Sequence, residues 1–129
     1  MTQHPAATEL LASVSSFLRD ELLPSLRGAQ AFNLRVSINA IELVRREIEQ
    51  AADAAARERS RLAALLGGDR GLDAMRNELC GKIAAGELTL EEPALCDHLR
   101  ATAMERMAID QPSYSAYLAG LARRRREQQ

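Results

Sequence analysis

The sequence predicts an all-α protein, a compact bundle of five or six helices, and three observations lead there. Apolar residues recur at the 3.6-residue helical period along nearly the whole chain, and the single alternating stretch, Leu88-Thr89-Leu90, is too short for a strand. Ala and Leu occupy 23 and 19 of the 129 positions, whereas aromatic residues make up only 3%. Gly and Pro fall mainly between the periodic segments, as short connections between packed helices require. No repeat of solenoid period stands out. The length supports one domain, placed over residues 1–122, burying roughly two-thirds of the surface its unfolded chain exposes. The first seven residues and an Arg-rich tail, 123–129, are expected to be disordered.

A first helix is expected from an N-cap at Thr8, with Glu9 in its first turn. Its stripe is Leu10, Leu11, Val14, Phe17, Leu18 and Leu22. It must stop or kink at Pro24, which lacks an amide proton and clashes with the preceding turn. A second helix, about Ala29 to Ala51, carries Phe32, Val36, Ala40 and Leu43 on one stripe and Leu34, Ile38, Ile41 and Ile48 on another. A helix apolar on two sides is expected to be central, with neighbours on both. A third helix through Leu66 either continues the second or breaks weakly near Asp53, with Arg57, Glu58, Arg59 and Arg61 as its wet face.

Gly67-Gly68-Asp69-Arg70-Gly71 reads as a loop. A fourth helix follows from Leu72 to Ala85, with Leu72, Met75, Leu79 and Ile83 at helical spacing and Gly86 as its stop. A fifth takes Pro93 at its first position and ends before Pro112, with a stripe through Leu95, Leu99, Thr102, Met104, Met107 and Ile109. A short sixth, about Ser113 to Ala122, presents Tyr114, Tyr117, Leu118 and Leu121.

Composition also excludes functions. The chain is too short for a dinucleotide-binding fold with a substrate domain. With 17 basic and 18 acidic side chains its net charge is −1, the wrong balance for a dedicated nucleic-acid binder. The arginines at 123–126 are a terminal run, expected to be solvated. The absence of a long apolar run or a signal-like start predicts no membrane insertion and a cytoplasmic protein. Cys80 and Cys96 match no zinc or redox spacing, and read as two small buried side chains that could face each other across a hairpin.

Motifs for catalysis are lacking. The glycine loop has neither the lysine nor the hydroxyl of a P-loop, and there is no nucleophile elbow, His-Glu-x-x-His or calcium loop. No metal or cofactor is expected. His4 falls in the N-terminal start. His98, beside Asp97, reads as a partly exposed helix histidine with a local partner, or as a base or ligand. The most informative polar residues lie on the second helix: Asn33, Arg35, Asn39, Arg46 and Glu47. If buried, they must be paired, with Arg35 or Arg46 meeting Glu47, Asp97 or Glu105. Alternatively they line an anion-binding cleft between the second and fifth helices, with Arg35, Asn39, Arg46, Glu47, His98, Arg100 and Arg106 as its residues.

Two stretches together carry a resemblance. One runs from Ala7 through Leu23-Pro24-Ser25-Leu26, Ala31-Phe32-Asn33-Leu34-Arg35 and Asn39-Ala40 to Arg45-Arg46-Glu47; the other runs from His98-Leu99-Arg100 to Pro112-Ser113-Tyr114. The chain resembles, over residues 6 to about 114, a family of small helical bacterial proteins catalogued as a domain of unknown function. Such proteins occur beside, or fused to, aminoglycoside-phosphotransferase-like kinases and near acyl-CoA dehydrogenases. The resemblance implies a non-catalytic accessory protein in acyl-CoA-related catabolism, with a kinase-like phosphotransferase or an acyl-CoA dehydrogenase as partner. The surplus of apolar helical faces adds a homodimer to that expectation. The alternative is a small-molecule domain for an anionic ligand such as an acyl-CoA.

Overall fold

The computed structural model describes residues 5–129, and the described residues are all-α. Five α-helices follow in order: α1 (Ala7–Phe17), α2 (Gly28–Leu66), α3 (Leu72–Ala84), α4 (Pro93–Asp110) and α5 (Ser115–Glu127). The helices group into two compact units, Met1–Ala51 and Ala52–Gln129. The boundary falls inside α2, which runs unbroken through Asp53 and so merges the expected second and third helices. No helix among the described residues is long and apolar enough to cross a membrane.

In the first unit, the helix starts earlier than expected. Ala6, not Thr8, occupies the N-cap, and its amide donates to Glu9 Oε2 at 3.3 Å. Approaching Pro24, the chain widens into a π-helical turn (Leu18–Leu22) and then tightens into a 3-10 turn (Leu23–Ser25). Ser25 Oγ closes that turn on the Leu22 carbonyl at 2.7 Å. Among the described residues of this unit, Ser15, Ala31 and Ile38 are buried. Around Ser15, Arg19 donates to its hydroxyl at 3.0 Å and lies 3.8 Å from Glu42. Arg45 binds Glu42 closely, and this bond, then one with Ser15, holds the Glu42 carboxyl below its ordinary range.

The second unit has a core of Leu62, Met75, Leu79 and Leu95, each no more than 6% exposed, with Leu65, Leu66, Leu72 and Leu88 against it. Positive-φ glycines, Gly67 and Gly86, follow the ends of α2 and α3. At Gly86, φ is +75°, the Gly86 amide donates to Ile83 and the Glu87 amide donates to Lys82. This is a Schellman stop, and it needs the left-handed backbone that only glycine adopts freely. α5 continues through Glu127, so the arginine run is helical where a disordered tail is expected. Arg123 pairs with Glu127 one turn on, at 3.1 Å, and cations at 124–126 complement the C-terminal end of the helix dipole.

Candidate functional site

The polar centre of the second unit grows from the stretch of α2 expected to face water. Glu58 lies four residues before Leu62, so a helix that buries Leu62 turns Glu58 inward as well. Glu58 is 8% exposed. Such a carboxylate needs a cation, and Arg76 on α3 supplies both prongs, Nε at 2.5 Å and Nη2 at 2.9 Å. That bond holds the Glu58 carboxyl below its ordinary range, against the upward push of burial.

One turn further along α2, Arg61 faces three residues of α4 spaced as a single helix face. Its Nε donates to His98 Nδ1 at 3.4 Å, and its Nη2 donates to Thr102 Oγ1 at 3.0 Å. The same Nη2 lies 2.5 Å from Glu105 Oε1, but the angle is too poor for a hydrogen bond. The second Glu105 oxygen accepts from Arg57 Nε at 2.6 Å. His98 is 5% exposed. Burial first, then the Arg61 charge, pushes its imidazole below the ordinary 6.5, while Glu58 and Glu105 pull the other way. The neutral ring accepting at Nδ1 carries its proton on Nε2.

Beside this centre lies a groove of about 430 Å³ between α4 and α5. Ala101, Met104 and Gly120 form its apolar lining, and Arg61, Arg100, Arg123 and Arg124 stand around it with Asp97 and Glu127. Gly120 is there for closeness, since a Cβ at that position would come 2.7 Å from Met104 Sδ.

The first unit carries a different feature. On α1, Leu11 and Ser15 lie half-buried or buried, while Leu10, Val14 and Phe17 are 49–53% exposed, Leu10 and Val14 on a face about 100° away. On α2, Ile38 is buried, whereas Phe32, Val36, Val44 and Ile48 are 49–63% exposed. The expectation that this helix has neighbours on both sides is therefore corrected. A two-helix hairpin covers one sector of each helix and leaves the other in solvent.

The sequence-predicted site residues fall in both units. Arg35 and Asn39 are exposed on α2, so the buried network expected around them does not form, and Arg46 and Glu47 are half-buried and engaged with other groups. Arg106 is exposed and binds Asp110 at 2.7 Å. His98 and Arg100 are brought together by Arg61, which bonds the first and lines the groove with the second. The expected partly exposed His98 is in fact buried, and its partner is distant in sequence. Glu105 pairs with Arg57 and Arg61, not Arg35 or Arg46. Cys80 is exposed and Cys96 half-buried, both free, with Cys96 Sγ donating to the Leu90 carbonyl at 3.1 Å. His4 lies outside the described residues.

Sequence reasoning missed Glu58, Arg61 and Arg76. The available signal was the i, i+4, i+7 spacing of Glu58, Leu62 and Leu65. Among the described residues no group of His, Cys, Asp and Glu is arranged to hold a metal. Neither the curated proteins nor the solved structures contain a match to this chain. Residues 24–114, well over half of the chain, match the family described as "Domain of unknown function (DUF6285)". The chain therefore belongs to that family.

Proposed function

We propose that this chain is a non-catalytic interaction protein whose first unit pairs with a second copy of itself. The observation that carries the reading is the exposed apolar surface on α1 and α2. Eight large side chains between Leu10 and Ile48 are 37–63% exposed within one short unit. Leu10, Val14 and Phe17 share one face of α1, and Phe32 and Val36 lie one turn apart on α2, so the exposure is grouped into stripes rather than scattered. Grouped apolar exposure on a small unit marks an association site.

The dimer would serve as an accessory subunit of a kinase-like phosphotransferase in acyl-CoA-related catabolism. That client rests on the family resemblance alone. The reading of the seven sequence-predicted residues as one anion cleft finds less support, because Arg35 and Asn39 project from α2 into solvent.

Light scattering on the purified protein tests self-association. A particle of twice the 14.2 kDa chain mass is expected, and Val36→Glu, at an already exposed position, should yield a folded monomer. A wild-type monomer at micromolar concentration overturns the pairing. Tagging the protein in its native host tests the client: stoichiometric recovery of a phosphotransferase supports it, and recovery of the protein alone removes it.

A further inference from the structure

The groove between α4 and α5 has a composition that the interaction reading does not use. Of its four arginines, two already have a carboxylate partner: Arg61 pairs at 2.5 Å with Glu105, which it shares with Arg57, and Arg123 pairs with Glu127 at 3.1 Å. The side chains of Arg100 and Arg124 make no hydrogen bond or ion pair with any described residue, and they come from the two helices that flank the groove. Asp97 is the one lining carboxylate left to oppose them, so the uncommitted charge is one positive.

The lining between them is apolar. Met104 is 7% exposed, and Gly120 lets α5 run against its thioether. A volume of about 430 Å³ lies in the range of small-molecule sites, roughly 300–1,000 Å³. Two planar forks beside an apolar wall suit a ligand with one acidic end and one oily end, since guanidinium groups bind carboxylate and phosphate oxygens in pairs. A purely inorganic anion would leave the Met104 and Ala101 surface wet.

We propose that this groove binds a small amphiphilic anion, with Arg100 and Arg124 holding its carboxylate or phosphate head and Ala101, Met104 and Gly120 packing its apolar body. The site differs from the cleft suggested by the sequence, since Arg35, Asn39 and Arg106 do not line it. It is also independent of self-association.

Calorimetric titration of the intact protein with octyl phosphate, octanoate, octanol and inorganic phosphate tests it. Both alkyl anions should bind at least tenfold more tightly than octanol and than inorganic phosphate. The tighter of the two identifies the head group. The double variant Arg100→Gln, Arg124→Gln should lose at least tenfold in affinity for the alkyl anions while melting like the wild type, because neither side chain is tied into the fold. Equal binding of octanol would make the groove a plain apolar slot and overturn the proposal. So would binding unchanged in the double variant, or no binding of either alkyl anion.

Discussion

Replacing Arg61 by Met should raise the pKa of His98, and the sign follows from what surrounds the ring. Burial and the Arg61 charge depress it, while Glu58 and Glu105 favour its protonation. Methionine keeps much of the side-chain length but removes the charge, so one depressing influence disappears while both carboxylates remain. The loss of the Thr102 hydrogen bond and of one Glu105 ion pair should cost about 1–3 kcal/mol of stability. Glu105 keeps Arg57 at 2.6 Å, which limits the damage.

The linkage to pH follows. A histidine whose folded pKa is depressed binds its proton more readily when unfolded. Its contribution is complete above 6.5 and is lost as pH falls from 6.5 towards the folded value. One proton gives a slope of at most about 1.4 kcal/mol per pH unit. In Arg61→Met that window narrows, so the loss of stability below pH 6.5 should be smaller than in wild type. The assay is a proton NMR titration of the imidazole, assigned with His98→Gln because the chain has two histidines. Urea unfolding at each pH gives the stability. A His98 pKa that stays put or falls in Arg61→Met would refute the electrostatic account of this cluster.

Other consequences can be measured with the same tools. Glu58→Gln should reduce the acid sensitivity of folding below about pH 4.5, because a carboxylate held down by Arg76 stabilises the fold only while ionised; identical acid unfolding curves would contradict this. Leu62→Ala, at a fully buried position, should cost about 2–5 kcal/mol in denaturant unfolding. Gly86→Ala should cost about 1 kcal/mol purely through backbone strain, since the added Cβ meets nothing within 4 Å yet φ is +75°. A neutral Gly86→Ala would mean that the Schellman turn relaxes without penalty.

Helix placement was legible because period and punctuation agreed. Pro24, Gly67, Gly86, Pro93 and Pro112 each act locally, on their own φ or amide proton, so their effect can be read without knowing the neighbours. The ends of α3 and α4 come out within a residue or two of expectation for that reason. Burial was less legible. Whether the Phe32–Val36 stripe is covered depends on how many helices reach it, and no local rule supplies that number. The charged residues misled in the opposite direction. Arg57, Glu58, Arg59 and Arg61 read as solvent-facing because charge is costly to bury, yet Glu58 and Arg61 are turned inward by the helix that buries Leu62. Their partners, Arg76 and Glu105, lie 18 and 44 residues away in sequence, beyond any spacing rule.

The three-pronged contact of Arg61 with α4 also restricts which alignments of the second unit are acceptable. Contacts among Leu62, Leu79 and Leu95 are non-directional, and a slide of one helical turn, about 5.4 Å, would cost them modestly. The arginine fork is less forgiving. Moved one turn towards the start of α4, it would meet Ala94, His98 and Ala101, losing its carboxylate. Moved one turn the other way, it would meet Thr102, Arg106 and Ile109, placing two guanidinium groups together. The oily residues thus supply adhesion while the charged ones act as a key, rejecting neighbouring registers that an all-leucine seam would tolerate. Substitution of the whole cluster by apolar residues of matching volume would then preserve helicity and raise compactness, while giving a broadened spectrum of interconverting packings.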